Sequence, residues 1–109
     1  MFKMEIEIDR IIAENDGWNF DYLKSILCNG LKKAGFIEEL NEGGRLIYRG
    51  TDSDKDLAYI GLVAEGLVKE SWFKKCCKKW LLFSNLNSKD GSFYVEGDWI
   101  SHYKKIKRW

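Results

Sequence analysis

SWFKKCCKKWLLF, residues 71–83, has the strongest periodic pattern in the chain. Its large apolar and thiol residues recur in pairs every four positions, at Trp72, Phe73, Cys76, Cys77, Trp80 and Leu81. The positions between these pairs are all lysines, namely Lys74, Lys75, Lys78 and Lys79. At about 3.6 residues per turn, this spacing puts the apolar residues on one face of a helix and the cations on the other. The pattern therefore predicts an amphipathic helix over residues 71–83, with Trp80 buried.

A separate helix is predicted immediately before this stretch, over residues 54–69. Four apolar residues at helical spacing are expected to face inward, namely Leu57, Ile60, Ala64 and Leu67. Ser53 followed by Asp56 resembles a capping box, with Asp in the usual place of Glu. At about 100° per residue, the apolar faces of the two predicted helices lie roughly 190° apart. We therefore expect a break near Glu70 and Ser71 instead of one long helix.

A third helix and a hairpin are predicted earlier in the chain. The helix covers residues 19–34, with apolar residues along one side at Phe20, Leu23, Ile26, Leu27, Leu31 and Ala34. Asn19 is suited to the N-cap of this helix, and Gly35 to its C-terminal stop. Strands over residues 36–40 and 45–49 follow, joined by a turn whose two glycines are free to adopt positive φ.

The two ends of the chain each allow two interpretations. Residues 2–9 alternate between apolar and charged side chains, as a strand does, yet helical spacing is also satisfied by Met4, Ile8, Ile11 and Ile12. The favoured interpretation is a helix through Ala13, because residues 10–14 have no strand character. Near the other end, residues 92–96 predict a short strand, followed by a terminal helix with Asp98 as its cap. A second hairpin strand is the alternative for that terminal segment.

Length and composition predict a single domain over residues 1–109, with an α+β fold of four to five helices packed on a small antiparallel sheet. Hydrophobic residues make up 45% and charged residues 32%, as is typical of soluble globular proteins. No apolar run approaches the roughly 20 residues that cross a bilayer, so no membrane partner is expected. An odd cysteine count of 3, without an apolar N-terminal block, predicts free thiols and a cytoplasmic location.

The groups that most often perform catalysis are scarce in this sequence. His102 is the single histidine, and nothing near it in sequence supplies the third group that a Cys–His pair needs. Adjacent residues on a helix point about 100° apart, so Cys76 and Cys77 are poorly placed to share a metal ion. Glu38 and Glu39 are adjacent on a predicted strand and face opposite ways. We therefore predict no catalytic residue, no metal site and no cofactor, with a small ribonuclease built on His102 as a minor alternative.

Nucleic-acid binding is the second function that the sequence suggests. The order helix, glycine, strand, turn, strand in LKKAGFIEELNEGGRLIYRG, residues 31–50, resembles the recognition helix and wing of winged-helix proteins. The helix has few cations, and the wing holds three acids that would repel phosphate, namely Glu38, Glu39 and Glu42. A different route to nucleic acid combines the lysines of residues 71–83 with aromatic rings for stacking, at Trp72, Trp80 and Trp109.

Protein binding explains more of the sequence. Aromatic residues reach 15%, and large aromatic side chains often anchor interfaces. The net charge is only +1, yet acids dominate the first part of the chain and bases the last part. The acidic candidates for partner binding are Glu38, Glu39, Glu42, Asp52, Asp54 and Asp56. The basic candidates are Lys74, Lys75, Lys78 and Lys79. Either charged set could steer a partner of opposite charge.

This overall character, small, cytoplasmic, aromatic-rich and divided in charge, resembles that of the immunity proteins that neutralise bacterial toxins, including those of contact-dependent inhibition systems. The resemblance implies a non-enzymatic inhibitor that binds a toxin domain. In such inhibitors a patch of carboxylates often engages a basic nuclease, in mimicry of its phosphate-rich substrate. We therefore expect a protein partner, with the acidic set facing a basic toxin or the lysines facing an acidic one.

Overall fold

The strand Phe2–Ile8, β1, forms the centre of a five-stranded antiparallel sheet in this computed structural model, which describes residues 1–109. The other strands are β2 (Ile37–Glu42), β3 (Arg45–Arg49), β4 (Cys77–Ser84) and β5 (Tyr94–Asp98). The helices are α1 (Arg10–Asn15), α2 (Phe20–Lys33), α3 (Asp56–Val68), α4 (Ser71–Cys76) and α5 (Trp99–Lys105). The strand order is β2-β3-β1-β4-β5, so the strands adjacent to β1 come from distant parts of the sequence.

The sheet and the helices form two layers around one core. Met4, Ile6 and Ile8 lie on one face of β1 and are buried. In the sheet register their cross-strand partners on that face include Leu46, Tyr48, Trp80 and Leu82. Every helix contributes to the same core, for example through Ala13, Leu23, Ile60, Phe73 and Tyr103. The predicted α+β fold, with helices packed on a small antiparallel sheet, is confirmed.

The prediction of one helix over residues 71–83 is wrong beyond Cys76. The helix α4 ends there, and the chain continues as β4, which pairs with β1 on one side and β5 on the other. A bulge hides the strand pattern: Cys77 faces Ile8 in the register and Lys79 faces Glu7, which leaves Lys78 as an extra residue. After the bulge, alternate residues enter the core. Trp80 is fully buried, as predicted, but it is buried from a strand.

The favoured helix at the N-terminus is also wrong for residues 2–8, where the strand alternative is correct. The alternation of apolar and charged residues fits a strand that is paired on both sides, because one face then enters the core and the other does not. The helix begins only at Arg10. Asp9 caps it, accepting hydrogen bonds from the amides of Ile11 at 2.8 Å and Ile12 at 3.1 Å.

Several local predictions are confirmed. Asn19 caps α2 by accepting a hydrogen bond from the amide of Tyr22 at 2.9 Å, and Gly35 follows the helix with φ of +96°. The β2–β3 hairpin and the break between α3 and α4 are present. Asp98 caps α5 through the amide of Ser101 at 3.2 Å, so the terminal helix is correct and the hairpin alternative is wrong.

The start of α3 differs from the prediction. Its N-cap is Lys55, which makes no capping hydrogen bond through its side chain, and the Ser53 hydroxyl accepts from the amide of Lys55 instead of forming a capping box. Leu57 points outward and is 54% exposed, while Asp56 is buried. Apolar residues occur all around this helix, so the apolar positions do not by themselves identify the inward face.

Candidate functional site

The predicted acids on β2 divide between the two faces of the sheet. On the helical side, Glu38 Oε1 accepts hydrogen bonds from the Tyr48 hydroxyl at 2.8 Å and from Asn41 Nδ2 at 3.1 Å. The bond from Tyr48 is the main cause that lowers the pKa of the Glu38 carboxyl. On the other side, Glu39 lies 2.8 Å from Lys3 Nζ and 3.6 Å from Arg49 Nε. Adjacent carboxylates therefore face opposite ways, as predicted, and do not act together.

The acids of residues 52–56 also serve different roles. Asp56 is only 5% exposed, and its carboxylate accepts a hydrogen bond from the Thr51 hydroxyl at 3.3 Å. Gly50 lies against this carboxylate, and a Cβ at that position would collide with it. Asp52 lies 3.3 Å from the N-terminal amine, while Asp54 is exposed. Asp56 is therefore placed to order its own loop and is poorly placed to reach a partner.

The four predicted lysines do not form one helical face, because Lys74 and Lys75 lie on α4 and Lys78 and Lys79 on β4. Three of them are close to acids of this chain. Lys75 Nζ lies 3.4 Å from Asp16, Lys78 Nζ 3.6 Å from Asp9, and Lys79 Nζ 3.6 Å from Glu5. These cations are therefore partly neutralised within the fold.

The structure brings together a surface that the sequence-based site prediction missed. We call it the open sheet face: the face of the five strands that points away from the helices and the core. Its apolar members on the strands are Ile37, Leu40, Ile47, Leu81, Phe83 and Val95. Phe93, just before β5, joins them, because Lys3 Nζ lies 4.2 Å from the centroid of its ring. None of these side chains belongs to the core or packs against it. Most are half-buried, and Val95 is 55% exposed.

A line of charges along β1 divides the open sheet face into two apolar strips. Lys3, Glu5 and Glu7 occupy the outward positions of this central strand. Glu5 is only 4% exposed, because it is enclosed by neighbours that include Arg45, whose Nε lies 2.8 Å away, and Lys79. The hydrogen bond to Glu5 raises the pKa of the Arg45 guanidinium. Three strands are thus joined by charge-assisted contacts that hold these side chains in place.

The charges at one end of this face form a regular row. In the register, Glu42 faces Arg45, Arg45 faces Glu7, and Glu7 faces Lys79, so the sign alternates across four strands. The cations of the row approach Glu5 within 4 Å, whereas Glu7 and Glu42 form no ion pair at that distance. The row therefore leaves two carboxylates available to an incoming cation.

The cavity beside the single histidine contains none of the apolar members of the open sheet face. His102 is exposed and lines a cavity of about 400 Å³ with Leu82, Asp98 and Trp99. The Asp98 carboxylate there already accepts the capping bond of α5. Burial raises the pKa of the Cys76 thiol and raises that of Cys77 to about 12, so neither is a thiolate at neutral pH. No cluster of three or more His, Cys, Asp or Glu side chains is arranged to hold a metal ion.

The helix and hairpin that resemble a winged helix have the predicted order, but the hairpin does not project freely. Its second strand, β3, is hydrogen-bonded between β2 and β1 within the sheet. Its turn is tied to β1 as well, since the amide of Ile8 donates to the carbonyl of Gly44 at 2.9 Å. The exposed side of α2 presents Tyr22 and Ile26. These features hold the hairpin within the sheet, both along β3 and at its turn.

Comparison of the chain with protein-family models, with characterised proteins and with solved structures finds no match. None of the helices has the length and apolar content needed to cross a membrane.

Proposed function

We propose that this chain is a non-enzymatic protein-binding module and that the open sheet face is its main contact surface. The observation that carries this proposal is the pair of half-exposed apolar strips that no helix covers. An uncovered sheet face of a two-layer fold must meet either water or a partner. Here it presents Ile47 and Phe83 on opposite sides of β1, where an all-polar surface would be the ordinary arrangement in water.

The composition of the open sheet face supports this proposal. Interfaces are enriched in aromatic residues and arginine, and this face presents Phe83 and Phe93 together with Arg45 and Arg49. Its side chains stand on paired strands and are joined by ion pairs, so little conformational freedom is lost when a partner binds. Glu7 and Glu42 favour a partner with basic groups at the matching edge, because they are the carboxylates of the charged row without an ion pair.

The specific form of the proposal is an immunity protein that acts in the cytoplasm and neutralises a bacterial toxin domain. Its support is the character of the sequence together with this preordered surface. A basic toxin surface fits the two unpaired carboxylates of the row better than an acidic one does. The three free cysteines are in keeping with a reducing compartment.

The test is affinity capture from nuclease-treated lysate of the source cells with three immobilised proteins. These are the wild-type chain, Phe83→Glu on the open sheet face, and Leu57→Glu, which changes a 54% exposed leucine on the helical side. We expect the wild type and Leu57→Glu to capture the same protein, and Phe83→Glu to lose it. Capture by Phe83→Glu at the wild-type level would contradict the proposed surface. Capture that occurs only when the nuclease is omitted would favour the nucleic-acid alternative.

The toxin assignment needs a separate measurement on the captured protein. A gene for a toxin domain directly upstream of this chain's gene is expected to encode it. Expression of that domain should arrest growth, and co-expression of the wild-type chain should restore growth. Since no proton transfer is required of a binder, His102→Ala should protect equally well. Loss of protection by a folded His102→Ala protein would support the ribonuclease alternative.

A further inference from the structure

A second apolar surface lies on the helical layer, away from the open sheet face. It is a groove of about 290 Å³ between α2 and α3, lined by Ile26 and Leu31 on one wall and by Val63 and Leu67 on the other. This volume is at the lower limit of small-molecule pockets, and the groove is open to solvent. It suits the insertion of a few side chains from a partner better than the enclosure of a ligand.

Two glycines in the walls of this groove have no explanation in the packing of the chain itself. Gly30 and Gly66 lie inside α2 and α3, where glycine costs about 1 kcal/mol relative to alanine. A Cβ at either position would meet no atom within 4 Å, so no neighbour within the chain requires a glycine there. Because neither glycine has a side chain that projects into the groove, another backbone can approach the two helices closely at these positions.

Exposed apolar side chains extend the groove along both helices. On α2, Tyr22 is 58% exposed and precedes Ile26 by one turn. On α3, Tyr59 is 42% exposed and Leu62 67% exposed, each one turn before a groove residue. At about 1.5 Å per residue, the stretch from Tyr22 to Leu31 spans about 13 Å. The apolar surface therefore matches the length of two to three turns of a partner helix.

Glu70 is the one ionisable residue that lines the groove. It lies between α3 and α4, is exposed, and its carboxylate takes part in no hydrogen bond or ion pair of the chain. An unpaired carboxylate beside an apolar groove is complementary to a segment that carries apolar residues and a cation. Both walls are helices without a free strand edge, so a strand has no edge to pair with here, whereas a helix satisfies its own backbone groups.

We propose that the groove between α2 and α3 docks an amphipathic helix of a partner protein, with its apolar side chains over Gly30 and Gly66 and a basic residue on Glu70. This inference is independent of the proposed function, because the groove and the open sheet face lie on different layers.

The test uses a synthetic helical peptide of about 16 residues. It carries leucines at spacings of three and four and one terminal arginine. A matched peptide has glutamate in place of the arginine, and a third has the same composition in scrambled order. Amide chemical shifts of the wild-type chain are followed by NMR during titration with each peptide. We expect the arginine peptide to shift resonances of α2 and α3, the glutamate peptide to bind more weakly, and the scrambled peptide to leave the groove unperturbed.

Three variants locate the binding. Gly66→Leu adds a side chain in the groove at a position where a Cβ meets no atom within 4 Å. Gly61→Leu makes the same change on the same helix, where a Cβ also has open space, but Gly61 does not line the groove. We expect Gly66→Leu to weaken arginine-peptide binding by about tenfold or more and Gly61→Leu by less than about twofold. Glu70→Gln should remove the preference for arginine over glutamate and leave apolar binding in place.

Several results would overturn the proposal. These are the absence of groove shifts at millimolar peptide, equal losses in Gly66→Leu and Gly61→Leu, or a Glu70→Gln protein that still prefers the arginine peptide. Groove resonances that change on dilution of the chain alone would show that a second copy, and not a partner helix, occupies the groove. None of these results bears on capture through the open sheet face, so the two proposals fail separately.

Discussion

Replacing Trp80 with alanine tests whether the aromatic cluster under β4 stabilises the whole fold. Trp80 is fully buried, and its ring centroid lies 5.1 Å from that of Phe73, 5.5 Å from that of Trp99 and 5.8 Å from that of Tyr103. The last two rings stack on it and bring α5 onto the sheet. The same side chain therefore joins the β4 strand to two helices.

The expected loss of stability is worked out from the surface area that the Trp80 side chain buries and from one opposing contribution, its unpaired Nε1–H. A buried tryptophan removes about 150–250 Å² from water, which at about 25 cal/mol per Å² is worth about 4–6 kcal/mol. The Trp80 Nε1–H is buried without an acceptor, and its removal returns about 1–3 kcal/mol. The cavity left behind adds a further cost, so we expect Trp80→Ala to lower the free energy of unfolding by about 3–5 kcal/mol, the usual range for a buried tryptophan. With 109 residues, the unfolding entropy is about 0.23 kcal/mol/K, so Tm should fall by roughly 13–22 °C.

The assay is urea and thermal unfolding followed by far-UV circular dichroism, which does not depend on the tryptophan that is removed. Lys75→Ala serves as the surface control and should cost less than about 0.5 kcal/mol, despite the ion pair with Asp16 at 3.4 Å. A Trp80→Ala protein with an unchanged Tm would refute the assignment of Trp80 to the core. Loss of partner binding in that same protein would instead assign the ring to an interface.

Three further predictions concern charge, thiols and backbone packing. Hydrogen bonds lower the pKa of Asp90 to about 2 and also lower that of Glu38, so the unfolded state takes up protons first as the pH falls. The contribution of both carboxylates to the free energy of unfolding should be complete above about pH 4–5 and should decline as the pH falls towards 2, as measured by urea unfolding. A free energy of unfolding that increases as the pH falls would contradict this prediction. Burial raises the pKa of Cys77 to about 12. Iodoacetamide at about pH 8 should therefore label Cys77 slowly in the folded chain and rapidly in urea, as followed by mass spectrometry. Equal labelling rates in the two states would refute this prediction. Gly44→Ala should lower Tm, because the new Cβ would collide with the carbonyl of Ile8. Gly30→Ala should raise Tm, because residue 30 lies in a helix and a Cβ there has open space. The reverse order of the two Tm values in thermal unfolding would contradict the packing described at these glycines.

The elements that the sequence predicts correctly have strong local signals. Asn19 and Asp98 are followed by residues of helical spacing, and each does cap a helix. Gly35 follows α2 with a positive φ, which glycine adopts at little cost. These signals depend on a few neighbouring residues, so they are readable without knowledge of the rest of the fold.

Both errors in the choice between helix and strand occur where pairing with distant strands decides the structure. Residues 2–8 satisfy both the period of a strand and that of a helix, and β3 and β4, which come later in the sequence, settle the choice. In β4, one bulge residue, Lys78, shifts the alternation and makes the segment look helical. Local periodicity contains no information on which strand will lie alongside, so neither error could be avoided by closer reading of the pattern.

The candidate site was missed for the same reason. The strand interpretation of residues 2–9 places Lys3, Glu5 and Glu7 on one face, which is the one signal in the sequence of an uncovered sheet face. The contribution of Leu81 and Phe83 to that face required β4 to be a strand. The predicted acids are clusters in the sequence, and the fold separates them: Asp56 is buried, and Glu38 and Glu39 lie on opposite sides.

The most direct test of the central claim is the affinity of the captured partner for matched variants of the two layers, measured by isothermal titration calorimetry. Phe83→Glu places a charge in an apolar strip of the open sheet face, and Leu57→Glu places the same charge on the helical side. With both variants folded, as judged by Tm, we expect Phe83→Glu to weaken binding by about 100-fold, or about 2.7 kcal/mol, and Leu57→Glu by less than about threefold. Equal affinities for Phe83→Glu and the wild-type chain would contradict the assignment of the open sheet face as the binding surface.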